Sequence, residues 1–358
     1  MPTELDIYSS YAGLLCLACT CIYTGAYGSL PSPKKHSRTS KKDAESEDED
    51  EDELPERLSL EDAWLFPIIG SVVLFGLFLV IKYFGKEWIN WILGWYFSVA
   101  GIGSVWKSSV TLVRYLLGDE RWKSFERFTV NVKKGRANIF SLTWRTPSLL
   151  LMPVSVIPSA LYRYSPAGRR SALLTDMLSL SFSHNALSLL KIDSFKTGTA
   201  LLSGLFVYDI WWVFGTRVMV EVATTLDVPI KLLWPKSLSF SDESGFTMLG
   251  LGDVVIPGAF VSLALRYDYH RHLKSNKTGS SFSKPYFHAS LVAYVAGLLT
   301  TMTVMHVFKA AQPALLYLSP ACILSFVLTG LLRGELLDAW KWIDEPETSK
   351  EAQDKKQD

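Results

Sequence analysis

The chain has 358 residues, of which 49% are hydrophobic and 20% are charged, with four cysteines and a formal net charge of +1. Its mean hydropathy is +0.18, whereas soluble domains usually score below zero. Nine of the eleven residues in 43–53 are acidic, and outside this run 36 basic residues stand against 26 acidic ones, a net of +10. This composition argues against a disulfide-rich secreted domain, a disordered chain and a nucleic-acid-binding protein, and it favours a membrane protein with one acidic insert.

Nine stretches are candidate transmembrane helices, because about 20 residues at ~1.5 Å each cross ~30 Å of hydrocarbon. Six stretches contain no Lys, Arg, Asp or Glu: 7–33, 63–81, 88–106, 146–162, 285–308 and 310–332. Three more contain one acidic residue each: 171–190, 197–216 and 244–265. These runs are too long and too uniformly apolar for barrel strands. The sequence therefore predicts an all-α, polytopic membrane bundle of about nine helices.

The predicted domain organisation follows from these spans and from the composition of the segments between them. Residues 1–30 hold the first span with an external N-terminus, and residues 31–62 form a disordered cytosolic linker that is first basic and then acidic. Residues 63–190 contain spans two to five, with a basic cytosolic loop at 107–145. Residues 191–333 contain spans six to nine and form the catalytic region, and residues 334–358 form a cytosolic tail.

Lysine and arginine residues set the predicted orientation, since they concentrate in cytosolic segments. The predicted cytosolic segments hold 27 of them and the opposite segments hold nine. Lys355 and Lys356, the fourth and third residues counted from the end, match the dilysine signal by which coat proteins retrieve proteins to the endoplasmic reticulum. Such a signal is read by a receptor on a cytosolic tail, so it agrees with the charge count.

Three acidic residues lie inside predicted spans, where an ionisable group costs about 2.5–3.5 kcal/mol on insertion scales and is a candidate for function. Asp176 lies near the external end of its span, and His184 lies two turns further along. For both, the sequence favours a structural or helix-packing role over catalysis.

Asp209 and Asp253 occupy successive predicted spans at matching depth, about 12 Å and about 10 Å from the external ends of their helices. Two carboxyl groups at one depth can share a proton and bind one water molecule, so that one acts as acid and the other as base. This is the requirement of an aspartic protease. Gly250 and Gly252 leave space beside Asp253 for an extended substrate, and Pro313 starts a segment near the external end of the last span that is suited to pair with it.

The motifs around these residues resemble those of signal peptide peptidases, members of the presenilin-type GxGD intramembrane aspartyl protease family. The resemblance runs through LLSGLFVYDIWWVFGTRVMVEVA, PIKLLWPK, FTMLGLGDVVIPGAF and MTVMHVFKAAQPALLYLSPACI, and it is dense over residues 171–333. It implies a nine-span enzyme of the endoplasmic reticulum membrane, with a lumenal N-terminus, a cytosolic C-terminus, and Asp209 and Asp253 as the catalytic pair. It further implies residues that bind substrate or organise the active site: Tyr208, Gly250, Leu251, Gly252, Gln312, Pro313, Ala314 and Leu315.

The implied substrates are type II-oriented transmembrane helices, such as signal-peptide remnants and tail-anchored proteins, and no cofactor or metal is implied. Other expected partners are the lipid bilayer, the retrieval coat, and a homo-oligomer or a membrane-protein degradation complex. Two alternatives stay open from the residues alone. Paired intramembrane acids also serve proton-coupled transporters and channels, and the chain could act as a quality-control scaffold for membrane proteins.

Overall fold

Nine long helices form the body of the protein in the computed structural model, which describes residues 4–30, 57–134, 137–165, 171–216, 218–236, 245–274, 282–309 and 312–344. They are α1 (Glu4–Gly28), α2 (Leu60–Phe84), α3 (Lys86–Leu117), α5 (Thr146–Tyr164), α6 (Ala172–Leu189), α7 (Phe195–Phe214), α9 (Gly252–Lys274), α10 (Pro285–Phe308) and α11 (Leu315–Arg333). Three short helices complete the set: α4 (Asp119–Ser124), α8 (Val218–Thr225) and α12 (Leu336–Lys341). Each long helix overlaps one of the nine predicted stretches.

Within the described part of the chain, five helices are long and apolar enough to cross a membrane by length and composition: α1, α2, α7, α10 and α11. A polytopic helical membrane protein is therefore confirmed, while the number of nine spans stays a prediction.

Three two-stranded sheets connect the helices. β1 (Arg57–Leu58) pairs in parallel with β4 (Lys191–Ile192). β2 (Arg127–Lys134) and β3 (Ala137–Arg145) form an antiparallel hairpin. β5 (Lys231–Pro235) and β6 (Phe246–Gly250) form a second antiparallel pair, which leads directly into α9. The sequence predicted none of these strands.

Two predicted segment boundaries change. Helix α2 begins at Leu60 rather than at residue 63, because Ser59 caps it: Ser59 Oγ accepts a hydrogen bond from the Asp62 N–H, and the Asp62 carboxylate accepts one from the Ser59 N–H. The rest of the predicted linker, residues 31–56, lies outside the described residues. The predicted interfacial loop 107–145 is mostly regular structure, since α3 continues to Leu117 and α4 and the β2–β3 hairpin follow.

Helix α9 is the centre of the bundle, because every residue from Pro257 to Asp268 is buried. α1, α6, α7, α10 and α11 pack around it. At one end of the bundle Phe195, on α7, stacks on Phe326, on α11, with ring centroids 4.0 Å apart. Helix α2 lies outside this core and exposes large apolar side chains along its length, as a helix in contact with lipid does.

A buried ion pair joins the last described residues to the core. The guanidinium of Arg266 is 3% exposed, and its Nε donates to Asp344 Oδ2 over 2.8 Å. The same guanidinium donates to the Ile192 carbonyl, at 2.8 Å, and to Ser29 Oγ, at 3.4 Å. The segment after α12 is thereby held against the ends of α1, β4 and α9.

Candidate active site

Asp209 lies on α7 with its side chain turned into the bundle, where the residue is only 4% exposed. Its carboxylate has one described partner: Oδ2 accepts a hydrogen bond of 3.0 Å from the backbone N–H of Leu315. Leu315 is the first residue of α11, and the first N–H groups of a helix have no partner inside the helix. The first residue of α11 therefore donates a hydrogen bond directly to Asp209, which the sequence predicts to be catalytic.

Asp253 is the second residue of α9 and follows β6 after a turn of one residue, Leu251. The carboxyl group of Asp253 lies close enough to Asp209 for the two to interact electrostatically. The predicted position of Asp253, about 10 Å along a continuous helix from Phe246, is wrong, because residues 246–250 are extended. A strand rises about 3.3 Å per residue, so this segment covers roughly twice the length that a helix would.

Leu251 forms the junction between β6 and α9. Its N–H donates to the Ile230 carbonyl over 3.0 Å, and its own carbonyl accepts hydrogen bonds from the N–H groups of Val254 and Val255. Its side chain is 9% exposed. The backbone of Leu251 thus links β5 to the first turn of α9 beside Asp253, and the predicted role of Leu251 at the active site stays a prediction.

Gly250 leaves the space beside Asp253 open. A Cβ atom added at Gly250 would lie 3.5 Å from Asp253 Oδ2, whereas one added at Gly252 would meet no atom within 4 Å among the described residues. The predicted use of Gly250 and Gly252, to leave space beside the acid for a substrate, stays a prediction.

Residues 312–314 precede α11, which begins at Leu315, instead of lying inside a helix as the span 310–332 predicted. Residues 310–311 are outside the described residues. Pro313 and Ala314 are buried, Gln312 is half-buried, and the Pro313 carbonyl accepts from the Leu316 N–H over 3.3 Å. The Pro313 carbonyl therefore already accepts a hydrogen bond within the protein. What the segment provides is the helix start that presents the Leu315 N–H to Asp209.

Tyr208 extends from α7 toward α2, where a Cβ atom added at Gly70 would lie 3.5 Å from its ring. Its ring lies 6.3 Å from that of Trp212, whose indole N–H donates to Ser71 Oγ on α2 over 3.1 Å. A cavity of about 260 Å³ lies between α2 and α7, and it is lined by Pro67, Ser71, Gly204, Tyr208, Trp211 and Trp212 among others. Asp209 does not line it, but Tyr208 lies within electrostatic range of Asp209, and the predicted role of Tyr208 at the active site stays a prediction.

Asp176 and His184, two turns apart on α6, have different neighbours in the structure. Asp176 Oδ1 accepts a hydrogen bond of 2.7 Å from the Leu233 N–H of β5. His184 instead lies toward α1, where a Cβ atom at Gly28 would be 3.6 Å from its Cε1. Asp176 thus makes a structural contact, and its partner is a strand and not a helix.

Two features of the site were missed in the sequence. The β5–β6 pair carried a signal, since KLLWP lies between Pro229 and Lys236 and FTMLG follows Gly245: short apolar runs bounded by turn residues are typical of strands. For Tyr294, in contrast, the sequence contained no signal of a role in the site. Its hydroxyl is buried within electrostatic range of Asp253 and has no hydrogen-bond partner among the described residues.

No group of three or more His, Cys, Asp or Glu side chains that could hold a metal ion occurs within the described ranges. Lys355 and Lys356 lie outside the described residues, so their role stays a prediction.

Comparisons with known proteins extend over nearly the whole chain. The family model described as "Signal peptide peptidase" matches residues 48–346. The chain is 36% identical over 344 residues to the signal peptide peptidases of Mus musculus and Homo sapiens, which covers 95% of this chain and 84% and 85% of those proteins. It is 36% identical over 293 residues to a probable intramembrane protease of Schizosaccharomyces pombe, which covers 82% of this chain and 86% of that protein.

Proposed function

The chain belongs to the signal peptide peptidase family, and we propose that in this intramembrane protease Asp209 and Asp253 are the catalytic pair. One observation carries the assignment: the two acids, 44 positions apart in the printed sequence, come within electrostatic range of each other inside the bundle. They do so beside Gly250, the start of α11 and the end of β6.

The pair hydrolyses a peptide bond as aspartic proteases do. One carboxyl group is protonated and polarises the scissile carbonyl, while the other is ionised and takes a proton from the attacking water. The water oxygen adds to the carbonyl carbon, the C–N bond then breaks, and the leaving nitrogen receives a proton. The Leu315 N–H donates to Asp209 Oδ2, and the second oxygen of Asp209, which has no partner among the described residues, can accept a hydrogen bond from the water.

A transmembrane helix must unwind before it can be cut, since its peptide bonds are hidden by its own hydrogen bonds. β6 offers the unwound segment a partner. The Lys236 N–H donates to the Gly245 carbonyl and the Leu251 N–H to the Ile230 carbonyl, each over 3.0 Å. Positions alternate in an antiparallel pair, so the backbone groups of Phe246, Met248 and Gly250 point away from β5.

That outer edge of β6 has no strand beside it among the described residues, and Met248 is 60% exposed there. We infer that an unwound substrate adds to this edge as a third strand, a mode of recognition in which main-chain hydrogen bonds give affinity. The edge ends at Gly250, beside Asp253, so the pairing delivers a peptide bond to the acids.

The proposed substrates are type II-oriented transmembrane helices, including signal-peptide remnants and tail-anchored proteins. The protein is a multi-pass membrane protein, and we place it in the endoplasmic reticulum with a lumenal N-terminus and a cytosolic C-terminus. The bias of 27 against nine basic residues supports this orientation. Interaction with the retrieval coat through the tail, and assembly into a homo-oligomer or a degradation complex, are further proposals.

The test is cleavage of a helical type II peptide by purified protein carrying Asp209→Asn or Asp253→Asn. Each variant should lose at least about 10²-fold in kcat, the lower bound for positioned acid–base groups. Asp338→Asn, at an exposed position on α12, is the matched control and should retain activity. Full activity in either dyad variant would exclude the proposed pair.

A further inference from the structure

Helix α6 closes the outer edge of β5 with side chains. Leu233 N–H donates to Asp176 Oδ1 over 2.7 Å, and the Lys231 carbonyl accepts from Ser179 Oγ over 2.8 Å. Ser179 Oγ also lies 3.0 Å from the Pro229 carbonyl, and the residue is fully buried. Asp176 and Ser179 are three positions apart and therefore lie on one face of α6.

The strand register explains why these backbone groups are free to be bound. Lys231 and Leu233 stand opposite Gly250 and Met248 at positions whose backbone groups point away from the partner strand. A strand edge with unpaired N–H and C=O groups is a template for another strand. On β5 that edge is occupied by α6, whereas on β6 no strand lies along it in the part of the chain that the structure describes.

We propose that Asp176 and Ser179 are positioning residues that fix the β5–β6 pair relative to Asp253 and so set which substrate bond is cut. Their hydrogen bonds among the described residues go to the backbone of residues 229–233 and to neither Asp209 nor Asp253. The inference rests on the proposed function, because it assumes that substrate pairs along β6.

Asp176 and Ser179 act through the position of the β5–β6 pair relative to Asp253. β5 holds β6 through the ladder, and β6 joins α9 through Leu251 just before Asp253. If the anchors on α6 are removed, the pair can shift or twist while the acids stay on their helices. A substrate strand lying on β6 then presents different bonds to the acids, since successive peptide bonds are about 3.3 Å apart along a strand.

The experiment compares Asp176→Ala, Asp176→Asn and Ser179→Ala with Ser181→Ala as matched control. The Ser181 hydroxyl donates only within α6, to the Met177 carbonyl, so its loss leaves β5 untouched. Products of one helical peptide are identified by mass spectrometry, with kcat and KM measured separately. Asp176→Ala and Ser179→Ala should spread cleavage to neighbouring bonds and lower kcat/KM at the main bond by about three- to tenfold, the value of one hydrogen bond.

Asp176→Asn should restore the wild-type product pattern, because its amide oxygen still accepts the Leu233 N–H. Hydrogen exchange adds a direct readout: peptides covering 229–236 and 245–251 should exchange faster in Asp176→Ala, while those from α11 should not change. If Asp176→Ala does not fold, the same measurements on Ser179→Ala test the inference.

Unchanged products, kcat/KM and exchange in folded Asp176→Ala and Ser179→Ala would overturn the inference. So would an Asp176→Asn protein that behaves like Asp176→Ala. Failure of the proposed function is distinguished by Asp209→Asn: if that variant still cleaves the peptide, the catalytic pair is wrong whatever Asp176 does.

Discussion

The backbone N–H of Leu315 donates a 3.0 Å hydrogen bond to Asp209 Oδ2, which ties the first residue of α11 to the acid of α7. The contact has consequences for stability as well as for chemistry, because both groups are buried. Asp209→Asn and Asp209→Ala are both expected to be inactive, but they should differ in stability.

The asparagine keeps an oxygen that accepts the Leu315 N–H, whereas alanine leaves that N–H buried without an acceptor. A lost acceptor of this kind costs about 1–3 kcal/mol. Asp209→Ala should therefore show the lower apparent Tm when both variants are unfolded in the same detergent. Equal Tm values would mean that the folded protein does not contain this hydrogen bond, or that another acceptor takes the Leu315 N–H in Asp209→Ala.

A methyl group at Gly250 tests the space beside Asp253. Gly250→Ala places its Cβ 3.5 Å from Asp253 Oδ2, an ordinary contact, so the protein should fold normally. The new methyl group occupies the approach of a substrate to the acid, and overpacking of about 1–3 kcal/mol predicts a loss in kcat/KM of about tenfold.

The control for this variant is Gly103→Ala on α3, where an added Cβ meets no described atom within 4 Å. Both alanine variants should match the wild type in thermal unfolding, and only Gly250→Ala should cleave more slowly. Wild-type kcat/KM in Gly250→Ala would show that no substrate passes over this glycine.

Asp344→Ala tests the ion pair at the other end of α9. It leaves the Arg266 guanidinium, 3% exposed, without its carboxylate partner. Breaking a buried pair in this way costs about 3 kcal/mol, so the free energy of unfolding should fall by that amount. Asp338→Ala, at an exposed position on α12, should have little effect. A chain that stops after Asp344 should keep wild-type stability, and a large loss there would point to contacts made by residues 345–358.

The tail and the predicted orientation are tested in cells. Replacing Lys355 and Lys356 by alanine should release the protein from the endoplasmic reticulum, as seen by fluorescence microscopy, because a coat receptor no longer binds the tail. Lys350→Ala is the matched control and should leave the location unchanged.

The predicted orientation places Asn276 in a cytosolic loop, where it should not be glycosylated in cells. Glycosylation of Asn276 would contradict that orientation.

Much of the architecture was predictable, because the length of an apolar run and the position of a charge can be read directly from the residues. All nine predicted stretches overlap long helices, and the acids singled out for their high cost in lipid, Asp209 and Asp253, come within electrostatic range of each other. Their catalytic role is still a proposal. The motifs also predict the family, which the comparisons confirm.

The errors have one physical origin: hydropathy describes side chains, whereas the site is organised by the backbone. Residues 246–250 are apolar enough to continue a membrane helix, and a short apolar run does not by itself distinguish strand from helix. The β5–β6 pair forms because its ladder and the anchors Asp176 and Ser179 satisfy backbone groups that the loop would otherwise leave unpaired.

The sequence by itself determined the class of protein, the approximate positions of its helices and the two acids, since these depend on composition and on the cost of charge in lipid. Only the tertiary structure decided that Asp253 follows a strand, that the Leu315 N–H binds Asp209, and that Asp176 anchors β5. Each of these is a contact to a backbone group, and every residue except proline carries the same N–H and C=O. The identity of a residue therefore does not reveal which partner its backbone will meet.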